Sequence, residues 1–365
     1  QAIFRQFQEI DHVIFAGVTH PKAVELAERV VKTLPKEAFH KVFFSDNGST
    51  AVEVALKMVL QYWYNKGIKK NRLVAIDGAY HGDTFGAMSM GQRGYFNKPF
   101  ENFFFDTDFI AFPDKHNASS ALTQAIKLFE NGDVAGLILE PLVQGSAGMR
   151  MYGIDWLNDL LDAAKANNVL VIFDEVMTGW GRTGKMFAMD YLSQTPDIVC
   201  LSKGLTGGTL PLGLTVTHDD IFDAFLDEDK KKALLHGHSY TGNALACAAA
   251  CASLDLFELQ ETQDNIQRVT NLHHQQKEVF EKHSAVREVR HLGTILAIEL
   301  QDENSTATYF SSLREKALAF FLENGMLLRP LGNVIFLNPP YVISDEELMH
   351  CYSTIYKFLD QITVE

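Results

Sequence analysis

Residues 169–185 read VLVIFDEVMTGWGRTGK. An apolar run stops on two adjacent carboxylates, Asp174 and Glu175, and a glycine-rich basic loop follows. A carboxylate at the end of a buried strand is costly unless something cationic meets it. This stretch sets the fold, because similar runs recur. KVFFS, RLVAID, VAGLILEP, DIVCLSK and LGLTVT are short, nearly all apolar, and separated by helical patterns such as Asp155–Asn167. Strands buried on both faces have this composition, so the pattern predicts an α/β architecture with a largely parallel sheet covered by helices. Ligands of such sheets bind at the carboxyl ends of the strands, where Asp174 stands.

The texture changes after Leu259. A polar helical stretch (260–282) precedes LGTILAIEL, a helix over 306–324, strands around MLLRP and VIFLNPP, and a last helix from Ser344 with Glu347 at capping-box spacing. Two domains are therefore expected: a large one over 1–259 and a smaller α+β one over 260–365.

The 365 residues suffice for a large core. A formal charge of -14 without a basic cluster argues against a nucleic-acid partner. No apolar stretch approaches the roughly 18 residues of a membrane helix. Cys200, Cys247, Cys251 and Cys351 lie in apolar or helical patterns and suit neither a disulfide framework nor a zinc site. A cytoplasmic location is the expectation. Gln1 already lies in structured-looking sequence, so a preceding segment, part of the small domain, is expected to be missing.

Four segments carry chemistry. In FFSDNGSTAVEVALKMVLQYW, Val52, Ala55, Leu56, Val59 and Trp63 have helical spacing, and Thr50 with Glu53 has the spacing of a capping box. The helix is entered through Asn47, Gly48, Ser49 and Thr50, whose N–H groups and hydroxyls suit a phosphate. A plain strand–turn–helix connection would look the same. GAYHGDTFGAMSMG sets Tyr80 and His81 in a small-residue loop after a strand, where an aromatic can stack on a flat ring or simply pack. In DIVCLSKGLTGGTLPLG, Lys203 follows an apolar strand, and a partly desolvated lysine there can act as an amine nucleophile. A snorkelling lysine is the plain alternative. The fourth is Asp174. Pyridoxal phosphate joins all four, with a phosphate, a flat ring, an aldehyde for lysine, and a pyridine nitrogen that needs an anion to stay protonated.

The order phosphate turn, ring loop, Asp174, Lys203, then Gly242-Asn243, resembles the class III aminotransferases. More narrowly, DNGSTAVEVALKM, YHGDTFGAMSMG, EPLVQGSAGMRMY, GRTGKMFA, LSKGLTGGTLPL, HGHSYTGNALACAAACASL and LRPLGNVIFLNPPY resemble the adenosylmethionine–8-amino-7-oxononanoate aminotransferases (7,8-diaminopelargonic acid synthases) of biotin synthesis. The resemblance covers essentially the whole chain. It implies fold type I of the pyridoxal-phosphate-dependent transferases, with a mostly parallel seven-stranded sheet. It implies transfer of an amino group, with S-adenosylmethionine as donor, to 8-amino-7-oxononanoate.

It also implies roles. Lys203 bonds the cofactor aldehyde and then shuttles a proton between the substrate Cα and the cofactor C4′. Asp174 holds the pyridine nitrogen. Tyr80 stacks near the ring and lines the substrate site, and His81 sits beside it in the cofactor loop. Asn47, Gly48 and Ser49 hold the phosphate, and Ser239 reaches it from the partner subunit of a homodimer with shared sites. Glu140 orients groups near the cofactor, while Asp83 and Arg182 belong to matching active-site motifs. Gly237 and Arg329 bind substrate, the guanidinium suiting the carboxylate of the keto-amino acid.

Two departures bear on the donor. Phe336 stands where the family usually has a tyrosine, and the segment that in this family precedes the equivalent of Gln1 and brings aromatic residues to the substrate pocket is expected to be missing; Trp180, where phenylalanine is more usual, is a smaller change. The rival within class III is an ornithine, 4-aminobutyrate or other ω-amino-acid aminotransferase. Many of those carry QGEGG, whose glutamate masks an arginine; this chain has QGSAG at 144–148. A non-catalytic cofactor-binding protein is disfavoured because Lys203 and Asp174 are both present. A hydrolase is disfavoured because there is no GxSxG and no metal-ligand cluster; His236 and His238 alone suit a loop.

Overall fold

The computed structural model describes residues 1–35, 38–301 and 312–364. The chain divides into two compact units. The larger comprises 1–143, 152–180 and 187–256; the smaller comprises 144–151, 181–186 and 257–365.

The strands in chain order are β1 (Lys41–Ser45), β2 (Arg72–Ile76), β3 (Asp108–Ile110), β4 (Val134–Leu139), β5 (Val143–Gln144), β6 (Arg150–Met151), β7 (Leu170–Asp174), β8 (Ile198–Leu201), β9 (Gly213–Thr217), β10 (Val286–Leu292), β11 (Ile295–Leu300) and β12 (Val334–Leu337). The larger unit carries a seven-stranded sheet in the order β1-β9-β8-β7-β4-β2-β3. Its pairs are parallel except those of β9, which is antiparallel to both β1 and β8. Strands β4, β7, β8 and β9 are buried along their whole length, which accounts for their unbroken apolar runs.

The helix Gly48–Asn65 lies on this sheet. Its Ala51, Ala55, Val59 and Trp63 enter one core cluster with Leu73, Ala75, Ile138, Ile172 and Ile198. Trp63 Nε1 donates to the Ala135 carbonyl at 2.8 Å, so its one polar atom is satisfied.

Register decides what meets at the sheet's carboxyl edge. Leu139 pairs with Phe173, and Asp174 with Cys200. Glu140, Asp174 and the Ser202–Lys203 step therefore leave adjacent parallel strands at one level.

The smaller unit holds a three-stranded antiparallel sheet, β10-β11-β12. Its core gathers Val269, Phe280, Leu296, Ile298, Phe321, Leu348 and Ile355. Ser344 and Glu347 form the expected box: Glu347 N–H donates to Ser344 Oγ, and Ser344 N–H donates to Glu347 Oε2.

Three expectations need correction. Residues 326–330 (MLLRP) form no strand; Leu327 is 90% exposed, the Leu328 N–H turns back to the Met326 carbonyl at 3.0 Å, and the next pairing is an isolated bridge between Leu331 and Val334. The helix expected over 306–324 is seen as Ser312–Glu323, and 306–311 lie outside the described residues. Thr50 and Glu53 do not form the cap of their helix. Asn47 is the N-cap, its side chain accepts the Thr50 N–H, and the Thr50 hydroxyl accepts the Asn47 N–H. The helix therefore starts at Gly48, which frees Glu53 for other partners.

Candidate active site

Asp174 ends β7 and is 5% exposed. Its Oδ2 lies 2.8 Å from Nδ1 of the buried His81, and its Oδ1 accepts the Val176 N–H at 3.1 Å. A carboxylate only accepts, so His81 Nδ1 carries the hydrogen. His81 Nε2 is buried and meets no partner among the described residues.

Tyr80, one residue earlier, gives its backbone N–H to Glu140 Oε1 at 3.2 Å and its hydroxyl to Asp83 Oδ2 at 3.0 Å. Burial, then the Asp83 hydrogen bond and the carboxylates of Asp83, Asp174 and Glu140, push its phenol up to about 12. The phenol therefore stays protonated at neutral pH and works as a hydrogen-bond donor.

Lys203 follows β8 at the start of a short 3-10 turn, with φ of 45°. That left-handed backbone is uncommon for a non-glycine residue and concentrates at functional positions. The side chain is exposed, and its ammonium has no hydrogen-bond or ion-pair partner among the described residues. The partial desolvation expected for it is thus not a property of the chain by itself.

At the helix start, Asn47 spends its side chain on the cap. The Gly48 and Ser49 N–H groups belong to the first turn, which has no acceptors within the helix. These donors, the dipole, the Asp174 carboxylate and an unencumbered lysine amine fit the phosphate, pyridine nitrogen and aldehyde of pyridoxal phosphate.

Within the larger unit, Gly237 and Ser239 make no hydrogen bond to this cluster among the described residues. Gly237 and Ser239 lie in an exposed stretch after His236, which sits 3.0 Å from Lys57 Nζ, and Ser239 makes no side-chain hydrogen bond among the described residues. Arg329 is exposed in the smaller unit, and Phe336 is half-buried on β12. Arg182, also in the smaller unit, donates to the Pro339 carbonyl at 2.6 Å and lies over the Tyr341 ring at 4.6 Å.

Glu175 has a different task from Asp174. It is fully buried, takes the Thr178 hydroxyl at 2.5 Å, and takes the Ala188 and Met189 N–H groups at 3.1 and 2.8 Å. Three neutral donors, not a cation, satisfy it. They bring residue 175 to the chain at 188–189, closing the loop that follows β7. Burial outweighs these donors and pushes Glu175 up from 4.5 to about 7. Between those values the folded chain holds a proton that the unfolded chain has lost, so stability falls as pH rises through the window. The loss is on the order of 3 kcal/mol. Glu175→Gln should remove this slope while lowering stability overall, because an amide NH2 would face a backbone N–H. Denaturant midpoints of both proteins from pH 4.5 to about 7 test it, and parallel curves would disprove the assignment.

Missed in the sequence were the His81–Asp174 contact and the partners of Glu53. An asparagine three residues before Thr50 was the available signal that the helix begins earlier and that Glu53 is not its cap.

Comparison with known proteins agrees with this geometry. The class-III aminotransferase family matches residues 1–359. The chain belongs to the class-III aminotransferases. An adenosylmethionine-8-amino-7-oxononanoate aminotransferase of Synechococcus elongatus is 45% identical over 370 residues, spanning 99% of this chain and 86% of that protein. One of Geobacter sulfurreducens is 37% identical, spanning 100% of this chain and 84% of its relative. The crystal structure of the Methanocaldococcus jannaschii aminotransferase of that name superposes with a TM-score of 0.92 at 37% identity, covering 99% of this chain and 84% of that one. A PLP-bound amine transaminase from an uncultivated Pseudomonas species superposes at 0.90 with 30% identity, covering 99% and 86%. This class-III chain is a pyridoxal-phosphate-dependent aminotransferase with the fold that its sequence resemblance implies.

Proposed function

We propose that this aminotransferase moves an amino group from S-adenosylmethionine to 8-amino-7-oxononanoate, giving 7,8-diaminononanoate for biotin synthesis. The observation that carries the reading is near-full-length similarity, at 33–45% identity, to proteins bearing that activity in their names. QGSAG at 144–148 supports it, because the site then lacks the glutamate that serves dual-carboxylate substrates.

Bound pyridoxal phosphate supplies an electron sink for the pair left when a substrate Cα proton is removed. The residues supply the rest. Lys203 Nζ takes that proton and gives it back. Asp174 holds a negative charge where the ring nitrogen needs one, and His81 fixes the direction of that carboxylate through its 2.8 Å contact. Glu140 and Asp83 fix the backbone and hydroxyl of Tyr80, which lines the site as an aromatic wall. Gly48 and Ser49 offer first-turn N–H groups to the phosphate, and Asn47 holds that turn in place. Arg329 takes the carboxylate of the keto-amino acid, and Gly237 lets substrate approach the loop backbone.

The working enzyme in this reading is a homodimer in which Ser239 of each chain completes the phosphate site of the other. Its exposed hydroxyl, without a hydrogen-bond partner among the described residues, suits that task. Among the described residues no helix is long and apolar enough to cross a membrane. Four free cysteines, three of them buried, suit the reducing cytoplasm in which we place the enzyme.

The test is a half-reaction. The purified pyridoxal-phosphate form is mixed separately with S-adenosylmethionine, lysine, glutamate and 4-aminobutyrate, and the cofactor spectrum is followed. Conversion to the pyridoxamine form by S-adenosylmethionine alone is expected. Conversion by lysine would reassign the donor, with Phe336 the first position to revert to tyrosine. Conversion only by glutamate or 4-aminobutyrate would overturn the reading.

A further inference from the structure

The phosphate turn is tied to the loop carrying Tyr80, His81 and Asp83 by a chain of three side chains whose hydrogens can be counted. Glu53 Oε1 accepts the Thr84 hydroxyl at 2.5 Å and the Ala87 N–H at 3.0 Å. Thr84 has one hydroxyl hydrogen, and the Glu53 contact takes it. The Thr84 N–H points to Ser49 Oγ at 3.1 Å, so Ser49 accepts there. The remaining contact, Ser49 Oγ to Thr84 Oγ1 at 2.8 Å, can then have only one polarity: Ser49 donates. The single hydrogen of Ser49 is thereby directed at Thr84.

Close packing keeps this chain in place. A Cβ at Gly82, where φ is 122°, would stand 2.4 Å from Ser49 Oγ, and one at Gly86 would stand 2.1 Å from Glu53 Oε2. Two glycines thus let the loop come down onto the helix at the points where the three side chains meet.

We infer that Thr84, held by Glu53, is a positioning residue of the phosphate site: it sets the Ser49 hydroxyl and locks the first turn of the helix Gly48–Asn65 to the Tyr80 loop. This rests on the cofactor reading of the site. The phosphate is then met by the first-turn N–H groups in a turn held still by Thr84, and the Ser49 hydroxyl serves that lock. Thr84 touches no cofactor atom in this account; it acts through Ser49.

The experiment measures dissociation constants of the apo-protein for pyridoxal phosphate and for pyridoxal, which lacks the phosphate, by equilibrium dialysis, with a melting curve for each variant. Thr84→Val keeps the shape and removes the acceptor; Thr84→Ala is a second truncation in case valine disturbs folding. Either should weaken pyridoxal phosphate roughly tenfold, in line with the loss of the Ser49 hydrogen bond and its Glu53 support in a partly buried network. Pyridoxal should bind as before, and Thr84→Ser should restore wild-type affinity. In a Ser49→Ala background the Thr84 substitution should add little, because the pair acts as one unit. Equal weakening of both ligands would mean a merely structural role, and full additivity with Ser49→Ala would mean that Thr84 does not act through Ser49. Either result, or unchanged affinity, overturns the inference. If the wild-type protein fails to bind pyridoxal phosphate at all, the cofactor reading itself falls.

Discussion

Lys203→Ala should abolish turnover, by roughly 10⁴-fold or more, because one amine provides both the covalent link and the moving proton. It should do so with almost no loss of stability. The lysine side chain is exposed and its ammonium has no partner among the described residues, so truncation breaks no packing and strands no buried charge. A surface change of this kind alters stability by about 0.5 kcal/mol or less. The backbone φ of 45° is equally uncommon for alanine, so that strain is unchanged. The variant should still bind pyridoxal phosphate through the helix start and Asp174, but without a covalent bond. Borohydride should fix cofactor to the wild-type protein and not to the variant. Retained turnover would remove Lys203 from its assigned role. A large drop in melting temperature would show that the lysine is structural.

The sequence made the sheet legible wherever burial on both faces leaves an apolar run. Strands β2, β4, β7, β8 and β9 lie within such runs; β1, with its first three residues only half-buried, was legible from its apolar VFF alone. The seventh strand, β3, has three residues, Asp108–Ile110, after an aromatic stretch, and only one of them is buried. Too short to show a period, it entered the expectation only through the family resemblance. The reversed direction of β9 was also illegible, since a fully buried strand looks the same whichever way it runs. In MLLRP, a short apolar run gave a strand signal, yet the described chain finds a pairing partner only at Leu331.

The candidate site was legible where chemistry demands an unusual residue in an apolar context. Asp174 and Lys203 stand out against their own strands. What pairs with what was not legible, because it depends on strand order. His81 meets Asp174 across 93 positions of sequence, and Thr84 meets Glu53 across 31. The adjacent carboxylates of the opening stretch looked alike and proved different: Asp174 pairs with a histidine and, in the proposed function, would meet the cofactor's ring nitrogen, while Glu175 is satisfied by a hydroxyl and two backbone N–H groups.

That difference underlies the second large effect. Asp174→Asn should cost roughly 10³-fold in rate, the scale found when one electrostatic partner of a developing charge is removed from a dry site. Asparagine keeps the shape and loses the charge, so nothing anionic remains to keep the ring nitrogen protonated. The internal hydrogen bonds also change. In the native chain Asp174 accepts twice, from His81 Nδ1 and from the Val176 N–H. Asparagine has one carbonyl oxygen. If that oxygen serves Val176, the amide NH2 faces His81 Nδ1, which must then become the acceptor and move its hydrogen to Nε2. Nε2 is buried with no partner among the described residues, so the shift leaves an unmet donor and costs about 1–3 kcal/mol. Stability and rate should therefore both fall, but for separable reasons. Asp174→Glu restores the charge and misplaces it, and should recover part of the rate without repairing the packing. Single-turnover rates with a good amine donor, beside denaturation midpoints for the three proteins, check the argument. A near-wild-type rate for the asparagine variant would refute the charge role, whatever its stability.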